Sequence, residues 1–261
     1  MHRVVVHAPQ LPGGRAVSAP IAVRILRDFD VPVLGPPLEP GRGYIAADSC
    51  CSSTRHRRAL LAVNGRQWLA QRFAVDWEQV DSTGRFVRRG GDGARNADYT
   101  VYGQRVIAAA DARIVKVVDG LPAQRPGSLP QGIGPRETDG NSVVARLDSG
   151  LYMFYGHLQA GSLKVKEGDE VKRGDPLGLV GNSGNTSAPH LHFHVMDGPS
   201  PLTSEGVPYV IDAFATRGRL RSTAEFDRYE NTTRPFAIVP FEGDRENAEQ
   251  LPLHLTVVDF G

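Results

Sequence analysis

Apolar and polar positions alternate over short stretches of this chain, and glycine, proline and asparagine punctuate them. Residues 4–6 and 21–26 are apolar runs bounded by Pro/Gly clusters, and residues 58–63 and 67–77 flank Asn64-Gly65-Arg66, a strong hairpin signal. Further alternations fall at 106–109, 112–118, 141–147, 151–158, 190–195, 235–240 and 253–258, with a valine, charged-turn and glycine rhythm at 164–180. Each is of strand length, so the pattern predicts a mainly β protein. Two stretches break it. Residues 84–102, polar and of mixed charge, read as an exposed loop, and residues 120–140, with four prolines and no periodicity, read as a long rim or lid.

Composition sharpens this picture in three places. The 29 glycines and 19 prolines favour turns and strands over long helices. The balance of 30 basic against 29 acidic side chains argues against broad electrostatic binding to nucleic acid or an anionic membrane. No apolar run approaches the roughly 18 residues that would span a bilayer, and residues 1–10 lack the apolar core of a secretory signal. The chain therefore reads as cytoplasmic or as one whose leader has been removed. Cys50 and Cys51 are neighbours and cannot staple distant parts of the fold.

The chemistry gathers in residues 181–198, where a Gly/Asn/Ser-rich turn closed by Pro189 feeds a short strand. His190, His192 and His194 share one face of it, and Leu191, Phe193 and Val195 the other. Imidazoles on a rigid support suit a metal or proton transfer, although the spacing fixes neither the metal nor the reaction. A three-residue hairpin loop would put Val63 opposite Gln67 and place His56, Arg58, Arg72, Ala74 and Asp76 on one face. A two-residue loop would turn His56 to the opposite side.

With the Tyr-Gly-His-Leu run at 155–158 and the Gly-Asn-Ser-Gly-Asn-Thr-Ser-Ala-Pro-His-Leu-His-Phe run at 181–193 both in place, residues 67–200 resemble the lysostaphin-type zinc endopeptidases of bacterial cell walls. The strand ending at Asp76 and the charged turns near 167–174 complete the likeness. The resemblance implies a groove of antiparallel strands holding one zinc ion, and it divides the chain into an N-terminal β extension (1–48), the peptidase-like domain (49–216) and a C-terminal β extension (217–261). It further implies Asp76 and His192 as metal ligands, His157 and His190 as the catalytic pair, peptide or peptidoglycan as substrate, and an extracellular or periplasmic setting.

One position departs from the family. Its pattern calls for histidine four residues before Asp76, where this chain has Arg72, and a guanidinium has no lone pair to give a metal. The site is thus expected to be degenerate unless another residue supplies the third ligand. His56 is one substitute. His194 lies about 6.6 Å along the strand from His192 and suits a supporting place beside the site, and Cys50 and Cys51 are soft alternatives. If Arg72 instead pairs with Asp76 in place of metal, the groove becomes an inactive module that binds or activates another wall hydrolase. The valine/glycine rhythm at 163–179 also suits a biotin or lipoyl carrier, but no Met-Lys-Met tip is present.

Overall fold

The computed structural model describes residues 2–7, 16–21, 30–50, 55–243 and 245–261. The chain divides into two compact units, residues 1–31 and 32–261. The first is a two-stranded antiparallel pair, β1 (His2–His7) and β2 (Ala16–Ile21), with His2 opposite Ile21. The expected continuation of the second run to residue 26 lies outside the described residues.

The second unit holds the remaining strands in chain order: β3 (Val33–Leu34), β4 (Gly41–Ala47), β5 (Leu61–Val63), β6 (Arg66–Trp68), β7 (Val75–Gln79), β8 (Arg105–Ile107), β9 (Ala112–Val118) and β10 (Asn141–Arg146). After them come β11 (Tyr152–Leu158), β12 (Glu170–Val171), β13 (Pro176–Leu179), β14 (Leu191–Met196), β15 (Gly206–Val207), β16 (Val210–Arg219), β17 (Val239–Pro240), β18 (Glu246–Gln250) and β19 (Thr256–Phe260). Two short helices, α1 (Arg55–Arg58) and α2 (Thr223–Tyr229), interrupt the series. The protein is mainly β, as its alternation predicts.

One large sheet runs β12-β9-β10-β11-β14-β7-β4-β19-β16-β17, and its register builds the site. Ala47 of β4 lies opposite Asp76 of β7, Asp76 opposite His192 of β14, and His192 opposite Gly156 of β11. Directly opposed residues share a face. Two functional side chains are therefore flanked by a methyl group and a hydrogen, which leaves space above them for side chains from elsewhere. On the reverse face, Phe193 packs against Tyr155 and Tyr209 with ring centroids 5.0 and 5.4 Å apart. At the β4–β19 end, the face bearing Asp76 is covered by Phe86, Phe226 and Phe236, which join Ile45, Ala47 and Val257 in one apolar cluster. Strands from residues 41–47 and 256–260, expected as extensions, are rungs of this same sheet.

Four local expectations fail for identifiable reasons. Val63 pairs with Arg66, so the hairpin loop has two residues, and Asn64 and Gly65 both take positive φ, 53° and 73°, the geometry that matches strand twist. β6 ends at Trp68 and β7 begins only at Val75, so the predicted strand face uniting His56 with Ala74 does not form. Residues 84–102 are not an exposed loop: Phe86, Val87, Tyr99 and Val101 are buried, and Val87 bridges to Tyr99. Finally, Ser222-Thr223-Ala224-Glu225 starts α2, with the Ser222 hydroxyl accepting the Glu225 N–H at 3.2 Å, where the alternation suggests only strands.

Candidate functional site

Asp76 is the hub of the cleft. Its Oδ1 lies 2.8 Å from His192 Nδ1 and 3.5 Å from His190 Nε2, and its Oδ2 lies 3.2 Å from His56 Nε2. His56 reaches it from α1, outside the hairpin, so the two-residue turn does not exclude it. The ring is fixed from behind, since Nδ1–H donates to the carbonyls of Asp48 (3.1 Å) and Ala74 (3.2 Å), leaving Nε2 as the atom aimed at Asp76. His192 is fixed in the same way on its far side, where Nε2 lies 3.0 Å from His194 Nδ1. His194 is fully buried, packs against Phe154 with ring centroids 5.0 Å apart, and among the described residues its Nε2 has no hydrogen-bond partner. His56 Nε2, an Asp76 oxygen and His192 Nδ1 thus form a compact set of two nitrogens and one oxygen, all within 4.8 Å of one another.

His157 and His190 form a second pair with ring centroids 4.7 Å apart. His157 Nδ1–H donates to the Ser183 carbonyl at 2.7 Å and His190 Nδ1–H to the Ala188 carbonyl at 2.9 Å, so both rings turn Nε2 to the cleft. His157, the residue before the last of β11, has φ of 62°, an uncommon left-handed conformation for a residue that is not glycine. Its own N–H is held by the Asp139 carbonyl at 3.0 Å. Together with His192 these two histidines make an alternative cluster that can also gather around an ion.

Charge follows this geometry. Burial disfavours a charged His56, but the Asp76 carboxylate outweighs it and raises the imidazole to about 9. Burial alone would raise Asp76, yet His56 and His190 hold it well below the usual carboxylate range. Burial, helped by His190 and His192, keeps His157 well below its ordinary value and therefore neutral near pH 7.

Arg72 does not fill the site. It is exposed, makes no ion pair with Asp76 among the described residues, and does not line the cleft. Cys50 is held in a disulfide and offers no thiolate to a metal, while Cys51 lies outside the described residues. His254, free of any predicted role, hydrogen-bonds Thr223 Oγ1 at 2.9 Å.

The cleft over these histidines has a volume of about 380 Å³, and its walls include residues that no motif marks: Arg55, Gln71, Leu129, Asp139 and Glu230. The segment 120–140 is a fixed wall, since Gln124 N–H donates to Asn182 O, Gly127 N–H to Ser187 O, and Asn185 N–H to Thr138 O, at 2.6, 2.8 and 2.8 Å. Gly140 and Gly184, both with positive φ, meet so closely that a Cβ on Gly140 would come 2.2 Å from the Ser183 carbonyl oxygen.

Glu230, at the end of α2, is raised to about 7, chiefly by burial and, against the pull of Arg55, by Asp227 and Asp48. Its folded value exceeds its unfolded one, so the folded chain holds a proton that the unfolded chain has released. Stability from this group falls as pH rises from about 4.5 through about 7. Glu230→Gln should therefore raise the melting temperature at pH 8 by an amount equivalent to about 1–2 kcal/mol and change little at pH 4.5, as thermal unfolding would show.

Comparison with known proteins bears on the same residues. Residues 95–204 match Peptidase family M23, a range that contains His157, His190, His192 and His194 and begins after His56, Arg72 and Asp76. The cell division protein DipM of Caulobacter vibrioides is 28% identical over 113 residues, 42% of this chain and 16% of that protein. The peptidoglycan DD-endopeptidase ShyA of Vibrio cholerae is 35% identical over 65 residues, 25% of this chain and 15% of that protein. The chain thus spans only a small part of these relatives' length. The catalytic domain of lysostaphin from Staphylococcus simulans is 22% identical, covers 64% of this chain and 88% of its own length, and superposes with a TM-score of 0.34.

Proposed function

The chain carries a domain of peptidase family M23, and from that premise we propose that it is a zinc-dependent peptide hydrolase acting on peptidoglycan cross-link peptides, with His56 in place of the missing family ligand. The observation that carries the proposal is the convergence of His56 Nε2 and His192 Nδ1 on the two oxygens of Asp76, at 3.2 and 2.8 Å. Two imidazoles and one carboxylate are a normal zinc ligand set with a position left open, and each histidine has its far nitrogen held by a neighbour, as metal-bound histidines do. When bound, zinc supplies a Lewis acid that polarises a carbonyl and acidifies a water.

The chain's own residues do the rest. His157, neutral and locked by the Ser183 carbonyl, presents an Nε2 lone pair able to take a proton from the attacking water. His190, held by the Ala188 carbonyl, presents its Nε2 beside it, and the pair can hand that proton to the departing amine. The wall at 120–140 narrows access to extended peptides. The name of the Vibrio relative supports a peptidoglycan substrate, and that substrate lies outside the cytoplasm. Among the described residues no helix is long and apolar enough to cross a membrane.

One observation favours a second reading. A proton on His56, raised to about 9, satisfies Asp76 without metal, which suits a metal-free groove that binds or activates another hydrolase. Elemental analysis of protein purified without added metal, joined to assay of peptide release from cross-linked peptidoglycan, separates the two. The hydrolase reading expects about one zinc per chain and release that chelation stops. Because Arg72 is exposed and does not line the cleft, Arg72→Ala is expected to keep that zinc, whereas loss of zinc in this variant, or a wild-type chain with none, would sink the reading.

A further inference from the structure

One carboxyl of the cleft wall takes no part in the scheme above. Asp139 closes the segment 120–140, and its backbone is pinned beside the catalytic pair. Its carbonyl accepts the His157 N–H at 3.0 Å, the preceding Thr138 carbonyl accepts the Asn185 N–H at 2.8 Å, and Gly140 beside it packs against Ser183. The side chain lines the same cleft as His157 and His190. Burial pushes the carboxyl up to about 6, so it is largely ionised near pH 7, and the only group opposing that push is the exposed Lys116 of β9. Among the described residues no hydrogen bond or ion pair meets its side-chain carboxylate. A half-buried carboxylate without a donor is costly, and a cation entering the cleft recovers part of that cost.

We infer that Asp139 is a specificity residue that selects peptides carrying a primary ammonium, either a free amino terminus or a lysine-type side chain, close to the bond presented to His157 and His190. Opposite the ammonium, Asp139 supplies a charge-assisted acceptor that a neutral peptide leaves unpaired. The inference rests on the peptide-binding reading of the cleft and is independent of whether a metal is held there. Lys116 competes for the same carboxylate through space, so removing its charge strengthens the selection.

Titration calorimetry on metal-free protein, where no turnover consumes the ligand, tests this with two matched pairs. The first is a tetrapeptide against its N-acetyl form, and the second an N-acetyl peptide with lysine against the same peptide with norleucine. In at least one pair the ammonium form is expected to bind about 10-fold more tightly, and which pair does so identifies the source of the ammonium. Asp139→Asn should reduce that ratio to about twofold or less, and Lys116→Met should increase it. Equal binding within both pairs, or a ratio that Asp139→Asn leaves unchanged, overturns the inference. Zinc-loaded protein then separates the two levels: selective binding without cleavage defeats the hydrolase reading and leaves Asp139 standing, and cleavage of both partners at equal kcat/KM does the reverse.

Discussion

Replacing His56 with alanine is expected to strip the protein of zinc, lowering affinity on the order of 10³-fold. The effect is large because Arg72 cannot give a lone pair, and without His56 only Asp76 and His192 remain of the three donors. His56 also has a competitor that the other donors lack. Asp76 raises it to about 9, so near neutral pH it carries a proton that must leave before the nitrogen can bind metal. Zinc binding in wild-type protein should accordingly release about one proton from His56, seen as a buffer-dependent heat in calorimetry, and in His56→Ala that heat should vanish with the binding. The metal-free protein obeys the opposite dependence. Its His56–Asp76 pair contributes stability below the unfolded imidazole value of 6.5 and loses it as pH rises through about 9. His194→Ala gives the scale for comparison, because that residue only holds the far nitrogen of His192 and its loss should weaken zinc by about 10–100-fold. A His56→Ala protein that binds zinc like the wild type would move the metal to the other cluster.

What the sequence disclosed and what it hid divide along a physical line. The face shared by His190, His192 and His194 follows from a period of two, and the structure keeps it, with His192 and His190 turned to Asp76 and His194 packed beside them. The position of His56 did not follow from any period. It depends on a single helical turn, α1, that precedes the hairpin, so the two-residue turn at Asn64 and Gly65 does not carry it. A register argument carried through the hairpin therefore does not explain why His56 stands beside Asp76. Helix α2 was signalled by Ser222 and Glu225, an N-terminal cap pair, but the signal is short against an alternating background. Asp139, Glu230 and Arg55 could not be read at all. Each enters the cleft because distant segments meet there, the segment 120–140 lying against residues 182–187 and α1 tied to α2 by Arg55 and Asp227 at 2.6 Å. The sheet explains why the flanking segments belong to the site: Ala47 of β4 lies opposite Asp76, and β19 and β16 extend the same sheet.

His157→Ala is expected to lower kcat by about 10²–10⁴-fold while leaving one zinc per chain in place, and the separation of these two readouts carries the argument. His157 and His56 both stand close to His192, with ring centroids 5.8 and 4.8 Å from it, so proximity alone does not say which of them holds metal. The charges favour His56. Asp76, the sole carboxylate among the clustered donors, is 3.2 Å from His56 and belongs to that cluster, whereas the His157, His190 and His192 group contains no anion to balance a dication. Burial and two neighbouring imidazoles hold His157 well below its ordinary value, and a ring that resists protonation in the free protein is suited to accept a proton only as the water attacks, when charge develops beside it. Its left-handed backbone is held by the Asp139 carbonyl and its ring by the Ser183 carbonyl, which fixes the imidazole for that transfer. Metal analysis and steady-state kinetics on His157→Ala therefore test the division of labour in one protein. Zinc retained with kcat lost assigns His157 to proton transfer, and zinc lost with kcat assigns the metal to the anion-free cluster, in which case His56→Ala must be the variant that keeps it.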